Sequence, residues 1–149
     1  MFRSIVWATD GSEHADRALR YVTDLAQAGQ GTSITIVHIA ETGHGAGAAF
    51  LPRHGAERHQ IVRQLEEIAD GLREKGLSVS VEVRDKPGAR PAHEIADIAR
   101  KNGADLIVAG TRGLSAIGGI ALGSVTHRLL HIAPCPVLVV PLGEADRAA

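Results

Sequence analysis

ADLIVAGTRGLSAIGGIALGS, residues 104–124, runs from one kind of chain into another. Its first seven residues, ADLIVAG, are apolar without a break from Leu106, the pattern of a strand buried on both faces. From Gly110 onward come five glycines and one charged side chain, Arg112. A short helix then opens at Ser124 and runs to Ile132. A parallel strand buried on both faces needs helical crossovers above and below it. The stretch therefore predicts an α/β architecture and raises the question of what the glycines serve.

The flanking sequence alternates in the same way. FRSIVWAT (2–9) reads as a short buried strand. From Ser12 the apolar positions Ala15, Ala18, Leu19, Val22, Leu25 and Ala26 mark one helical face, capped by Asp10 or Ser12 and stopped at Gly29 and Gly31. TSITIVHIA (32–40) is a second strand, followed by a Gly- and His-rich loop. Ile61, Val62, Leu65, Ile68, Ala69 and Leu72 mark a second helix ending near Gly76. LSVSVEVR (77–84) alternates as a third strand suited to a sheet edge. Pro91 starts a third helix carrying Ile95, Ile98 and Ala99, and PVLVVPL (136–142) is the last strand. The expectation is one α/β domain over residues 1–149, with 143–149 a flexible tail. It is a doubly wound five-stranded parallel sheet in the order 3-2-1-4-5, with helices on both faces. In that order the winding reverses between strands 1 and 4, where open α/β sheets bind ligands. TDGSE (9–13) and the glycine-rich stretch meet there.

Bulk composition narrows the function. The 149 residues carry 16 basic and 17 acidic side chains, a formal charge of −1, which points to neither nucleic acid nor a membrane surface. Aromatic residues make up 3%, too few for base-stacking platforms. No apolar run approaches the roughly 18 residues of a membrane span, and the start has no signal-peptide layout. One cysteine suits a reducing cytoplasm, the expected location.

A helix start offers unpaired N–H groups and partial positive charge, which favours an anion. Charge-assisted hydrogen bonds contribute about 1.5–3 kcal/mol each, and a micromolar ligand needs about 8 kcal/mol. A few such bonds to phosphate suffice. A loop whose glycines serve only turns is the plainer alternative. The Walker pattern is absent, since Lys75, Lys86 and Lys101 all lie far from this loop. GHGAGA (43–48) matches the relaxed dinucleotide pattern but opens no helix directly. The 41–54 segment reads instead as a mobile loop or lid.

Gly110-x2-Gly113-x9-Gly123-Ser124 resembles the G-2x-G-9x-G-[ST] nucleotide motif of the universal stress protein family. VWATDGSEHADRAL and GSVTHRLLHIAPCPVLVVP resemble that family's opening and closing segments, so the likeness runs from about Phe2 to Pro141. It implies the doubly wound fold and, for ATP-binding members, a site. Asp10 would contact ribose, its alternative role being a helix cap. Ile39, flanked by Ala8 and Thr9, would stand beside adenine, or Ile39 would be plain core. Gly110, Arg112, Gly113, Gly123, Ser124 and Val125 match the phosphate-facing positions, Ser124 being alternatively an N-cap. The cofactor implied is ATP, with Mg²⁺ or Mn²⁺ riding on its phosphates. A homodimer through the last strand, Pro136 to Leu142, is implied as well and fits its apolar edge.

No protein-bound metal is expected. His44, His54 and His59, in and after the loop, fit no compact ligand spacing, His38 reads as core or strand edge, and His127 and His131 face one side of the fourth helix. Cys135 reads as a packed residue. No catalytic arrangement emerges. The expectation is an adenine-nucleotide-binding stress-response sensor or regulator. The alternatives are a dimeric interaction module without nucleotide, a slow ATPase, and an AMP or cyclic-AMP binder.

Overall fold

The computed structural model describes residues 1–11, 15–40, 53–111 and 122–141. Nine elements alternate along them: β1 (Ser4–Ala8), α1 (Ala15–Ala28), β2 (Ser33–Ala40), α2 (Arg53–Glu74), β3 (Ser78–Asp85), α3 (Pro91–Lys101), β4 (Leu106–Gly110), α4 (Ser124–Ile132) and β5 (Val137–Val140). The five strands form one parallel sheet in the order β3-β2-β1-β4-β5. This is the doubly wound order that the pattern of elements predicts.

Alternation along the central strands builds two cores. Ile5 and Trp7 of β1 and Ile34 and Ile36 of β2 pack against Ala18 and Val22 of α1 and Leu65 and Ala69 of α2. Val6, Val37 and Ile107 turn the other way, onto Ile95, Ile98 and Ala99 of α3 and Leu129 of α4. Central strands buried on both sides read as continuous apolar runs for this reason. Leu106, Ile107, Val108 and Ala109 are all buried.

One boundary differs from expectation. α2 begins at Arg53, two turns before the apolar periodicity starts at Ile61. Residues 58–60 are exposed, so the first turns extend past the core and need no apolar face. Pro52 just before it and helix formers such as Ala56, Glu57 and Gln60 suit such an extension. His54 and His59 therefore stand on a helix and not in a loop. Ser12, residues 41–52 of the lid segment, Leu142 and the 143–149 tail lie outside the described residues.

Candidate functional site

The site is assembled by the ends of β1, β2 and β4. Ala8 pairs with Val37 on one side and Ala109 on the other. Thr9 and Asp10 thus leave the sheet between the end of β2 and Gly110. β1 leads to α1 on one face and β4 leads to α4 on the other, the reversal at which open α/β sheets form their ligand crevice.

The turn after β1 is held at three points. The Thr9 N–H donates to the Val37 carbonyl at 2.9 Å, and the Gly11 N–H donates to Thr9 Oγ1 at 3.1 Å. His38 Nδ1 lies 3.0 Å from the Thr9 carbonyl. A carbonyl only accepts, so that nitrogen carries the proton. Gly11 has φ +79°, and a Cβ there would lie 2.4 Å from Ile61 Cδ1, so the turn needs glycine. Asp10 is half-buried between these fixed residues.

Across the crevice, the Thr111 N–H donates to the Val140 carbonyl at 3.0 Å, and the Gly123 N–H donates to the Thr111 carbonyl at 2.7 Å. The buried Thr126 hydroxyl donates to the Gly110 carbonyl at 2.8 Å. These bonds tie the start of α4 to the end of β4 on both sides of the intervening residues. Gly123, not Ser124, is the N-cap of α4, with φ −59° and ψ 150°, and no side chain caps the helix. Ser124, Val125 and Thr126 occupy its first three positions, whose N–H groups have no partner within a helix. A glycine cap supplies no side chain to them, and among the described residues they have no acceptor.

One alternative is corrected here. Ser124 does not cap α4; it is an exposed first-turn residue. Gly123 donates its own N–H to Thr111, so the amides without an acceptor among the described residues begin at Ser124.

The remaining candidates fall as follows. Ala8 and Val125 are half-buried against the core on the α3 and α4 side. Thr9 and Ile39 are buried, and the Ile39 side chain belongs to that core, leaving its backbone at the strand end beside Asp10. Arg112 and Gly113 lie outside the described residues. Three residues that the sequence did not mark, His38, Thr111 and Thr126, fix the two walls. Only their register against Thr9 and Gly110 distinguishes them. Burial, and then the nearby Asp105 carboxylate, push the Cys135 thiol up, which suits a packed residue and not a nucleophile. Among the described residues no three His, Cys, Asp or Glu side chains converge to hold a metal ion, and no helix is long and apolar enough to cross a membrane.

Fold and site together define a class: a doubly wound α/β protein with a glycine-capped helix start at the reversal of its sheet. The family model described as "Universal stress protein family" matches residues 1–141, and the chain belongs to that family. It is 36% identical over 146 residues to the Thermus aquaticus protein named "Universal stress protein in QAH/OAS sulfhydrylase 3'region", spanning 94% of this chain and 99% of the relative. The solved structure of hypothetical protein MJ0577 superposes with a TM-score of 0.80 over 97% of this chain and 99% of its own, at 24% identity, and shows the fold alone. A universal stress protein from Archaeoglobus fulgidus, solved in complex with dAMP, has a TM-score of 0.66 and 25% identity over 92% of this chain and 96% of its own. A universal stress protein in complex with cAMP has a TM-score of 0.63 and 25% identity over 94% and 97%.

Proposed function

We propose that this protein binds an adenine nucleotide, ATP, in the crevice at the ends of β1, β2 and β4, and acts as a cytoplasmic sensor or regulator in a stress response. The observation that carries the reading is the start of α4. Behind its glycine N-cap, the first-turn amides of Ser124, Val125 and Thr126 have no acceptor among the described residues, and the helix starts beyond the end of β4, next to β1 and its Asp10 turn. The phosphates would sit on Ser124, Val125 and Thr126, with Arg112 and Gly113 completing the cradle. The Asp10 carboxylate would accept from the ribose hydroxyls. The base would lie against Ala8, Thr9 and the Ile39 end of β2. Mg²⁺ or Mn²⁺ would ride on the phosphates and keep most of its waters. The two neighbours solved with dAMP and cAMP favour the same ligand class.

Proline substitution tests the cradle directly. Position N1 tolerates proline, and Gly123 already has the extended backbone that proline demands of its predecessor. Ser124→Pro deletes one open amide and leaves the helix intact. The loss of one charge-assisted bond, about 1.5–3 kcal/mol, weakens ATP about 10–150-fold. Ser124→Ala, which keeps the amide, weakens it less than about tenfold. Calorimetry with ATP, AMP and cAMP, read alongside the fluorescence of the sole tryptophan, Trp7, ranks the ligands. A prolonged hydrolysis assay separates binding from turnover. Should no nucleotide raise the melting temperature at about millimolar concentration, where mass action stabilises any real complex, the chain is an interaction module instead.

The free edge supports a second proposal, a homodimer through β5. The Ile107 N–H donates to the Pro136 carbonyl and the Thr111 N–H to the Val140 carbonyl. Strand alternation therefore points the backbone of Val137 and Val139 outward. Leu130 of α4 is 50% exposed. A second copy would cover both the edge and Leu130.

A further inference from the structure

The outward face of α4 carries two histidines that the nucleotide reading does not use. His127 and His131 are one helical turn apart and exposed, and their ring centroids lie 4.9 Å apart with the planes at 81°. An imidazole nitrogen binds a first-row divalent ion at about 2.1 Å, which sets each centroid about 3.2 Å from the ion. Coordination angles of about 90–110° then separate the two centroids by about 4.5–5.2 Å. The observed spacing falls inside that window, and exposed rings turn about χ2 at little cost.

We propose that His127 and His131 form a two-histidine site for a divalent transition-metal ion of the Cu²⁺, Ni²⁺ and Zn²⁺ class. Water completes the coordination, because no third His, Cys, Asp or Glu joins the pair among the described residues. Two imidazoles select this class over Mg²⁺ and Ca²⁺, which require oxygen ligands. His131 is in the last turn of α4, where the outward carbonyls concentrate negative partial charge that favours a cation. His127 stands one turn earlier, directly after the three amides assigned above to the proposed phosphate site.

The test is calorimetric titration of the full chain, free of nucleotide, with CuCl₂, NiCl₂ and ZnCl₂. Wild type, His127→Gln, His131→Gln and, as a control on α3, His93→Gln are compared. One equivalent of Cu²⁺ should bind wild type and His93→Gln alike, more tightly than Ni²⁺ or Zn²⁺. Each of His127→Gln and His131→Gln should weaken Cu²⁺ at least about tenfold, since each removes one of two protein ligands. Both positions are exposed, and equal melting temperatures without metal verify that the variants fold. Substoichiometric Cu²⁺ should broaden the ring protons of His127 and His131 before those of the other six histidines. The proposal is overturned if either Gln variant keeps wild-type affinity, if other histidines broaden first, or if no Cu²⁺ binds at about 100 μM. The same sample binding ATP normally would leave the nucleotide reading untouched by any of these results.

Discussion

The two edges of the sheet are built to opposite rules. β3 pairs with β2 over eight residues, and its Val79, Val81 and Val83 pack on the α2 side while Glu82 and Arg84 turn toward α3. Arg84 bonds Glu82 and, from the first turn of α3, Glu94. β5 pairs with β4 over four residues, Val137 to Val140, and carries no polar side chain. Inward-pointing charge is a recognised device against unwanted strand addition. The sheet thus closes one edge with an ion-pair cluster and leaves the other short and apolar. The β5 side of the sheet also carries α4 with its glycine N-cap.

The largest expected effect breaks the open edge. Val139→Pro removes an N–H that faces away from β4, and its predecessor Leu138 already has the extended backbone proline requires. Light scattering at micromolar concentration should show wild type at twice the chain mass and Val139→Pro at the chain mass, with melting still cooperative. A variant that stays dimeric, or a wild type that is monomeric, removes the β5 interface.

The next experiment asks whether edge chemistry alone makes the difference. Replacing Glu82 and Arg84 together by Val and Leu removes both charges from β3, leaves Glu94 of α3 without its partner, and turns that edge apolar. The double variant should form species larger than a dimer. Unchanged mass would mean that apolarity is not enough and that the shape of the β5 end selects the partner. Arg84→Leu alone strands Glu82 and Glu94 beside each other. Hydrogen bonds donated to Glu94 and then Glu82 hold the Arg84 guanidinium above its usual range, so the cation contributes throughout neutral pH. Its side chain is 22% exposed, so a loss of about 2 kcal/mol, or about 4–8 °C in melting temperature, is expected.

The contrast between halves was partly legible in the sequence. Strict alternation in LSVSVEVR announces a strand with one polar face, and unbroken LIVAG announces burial on both. Those patterns, with the helical spacing between them, fix the strand order once right-handed crossovers are assumed. The candidate site was legible as residue types at intervals: Asp10 after a strand, and Gly110 and Gly123 around a turn. Bond partners were not legible. Whether Ser124 or Gly123 caps α4 depends on one ψ angle, and the sequence favours serine by propensity. The role of His38 depends on a register that places it beside the Thr9 carbonyl. The first turns of α2 escaped because apolar periodicity reports only the part of a helix that touches the core. The distance between His127 and His131 is a matter of rotamers, and spacing in the sequence shows only that they share a face.

The smallest effect lies at the seam between the halves, where β1 meets β4. Asp105 Oδ2 accepts the Arg3 N–H at 2.8 Å and Oδ1 accepts the Ser4 N–H at 3.1 Å, while the Asp105 N–H donates to the Ser4 carbonyl. Burial pushes the Asp105 carboxyl up, but the amides of Arg3 and Ser4, with its own amide and the Arg3 charge, more than offset it and hold it below its ordinary value. A carboxyl lowered on folding stabilises the native state above its unfolded pKa of about 3.9, and the contribution fades as pH falls through the folded value. Asp105→Asn keeps one acceptor and sets an NH₂ group against a backbone N–H. Charge-assisted bonds at a partly solvated site are discounted to about 1 kcal/mol, or about 3 °C in a chain of this length. Melting curves of both proteins should differ by that amount at neutral pH and converge as the pH approaches 3. A gap that persists unchanged across this range would mean the seam depends on packing and not on the carboxylate. The two halves would then be joined by their cores alone.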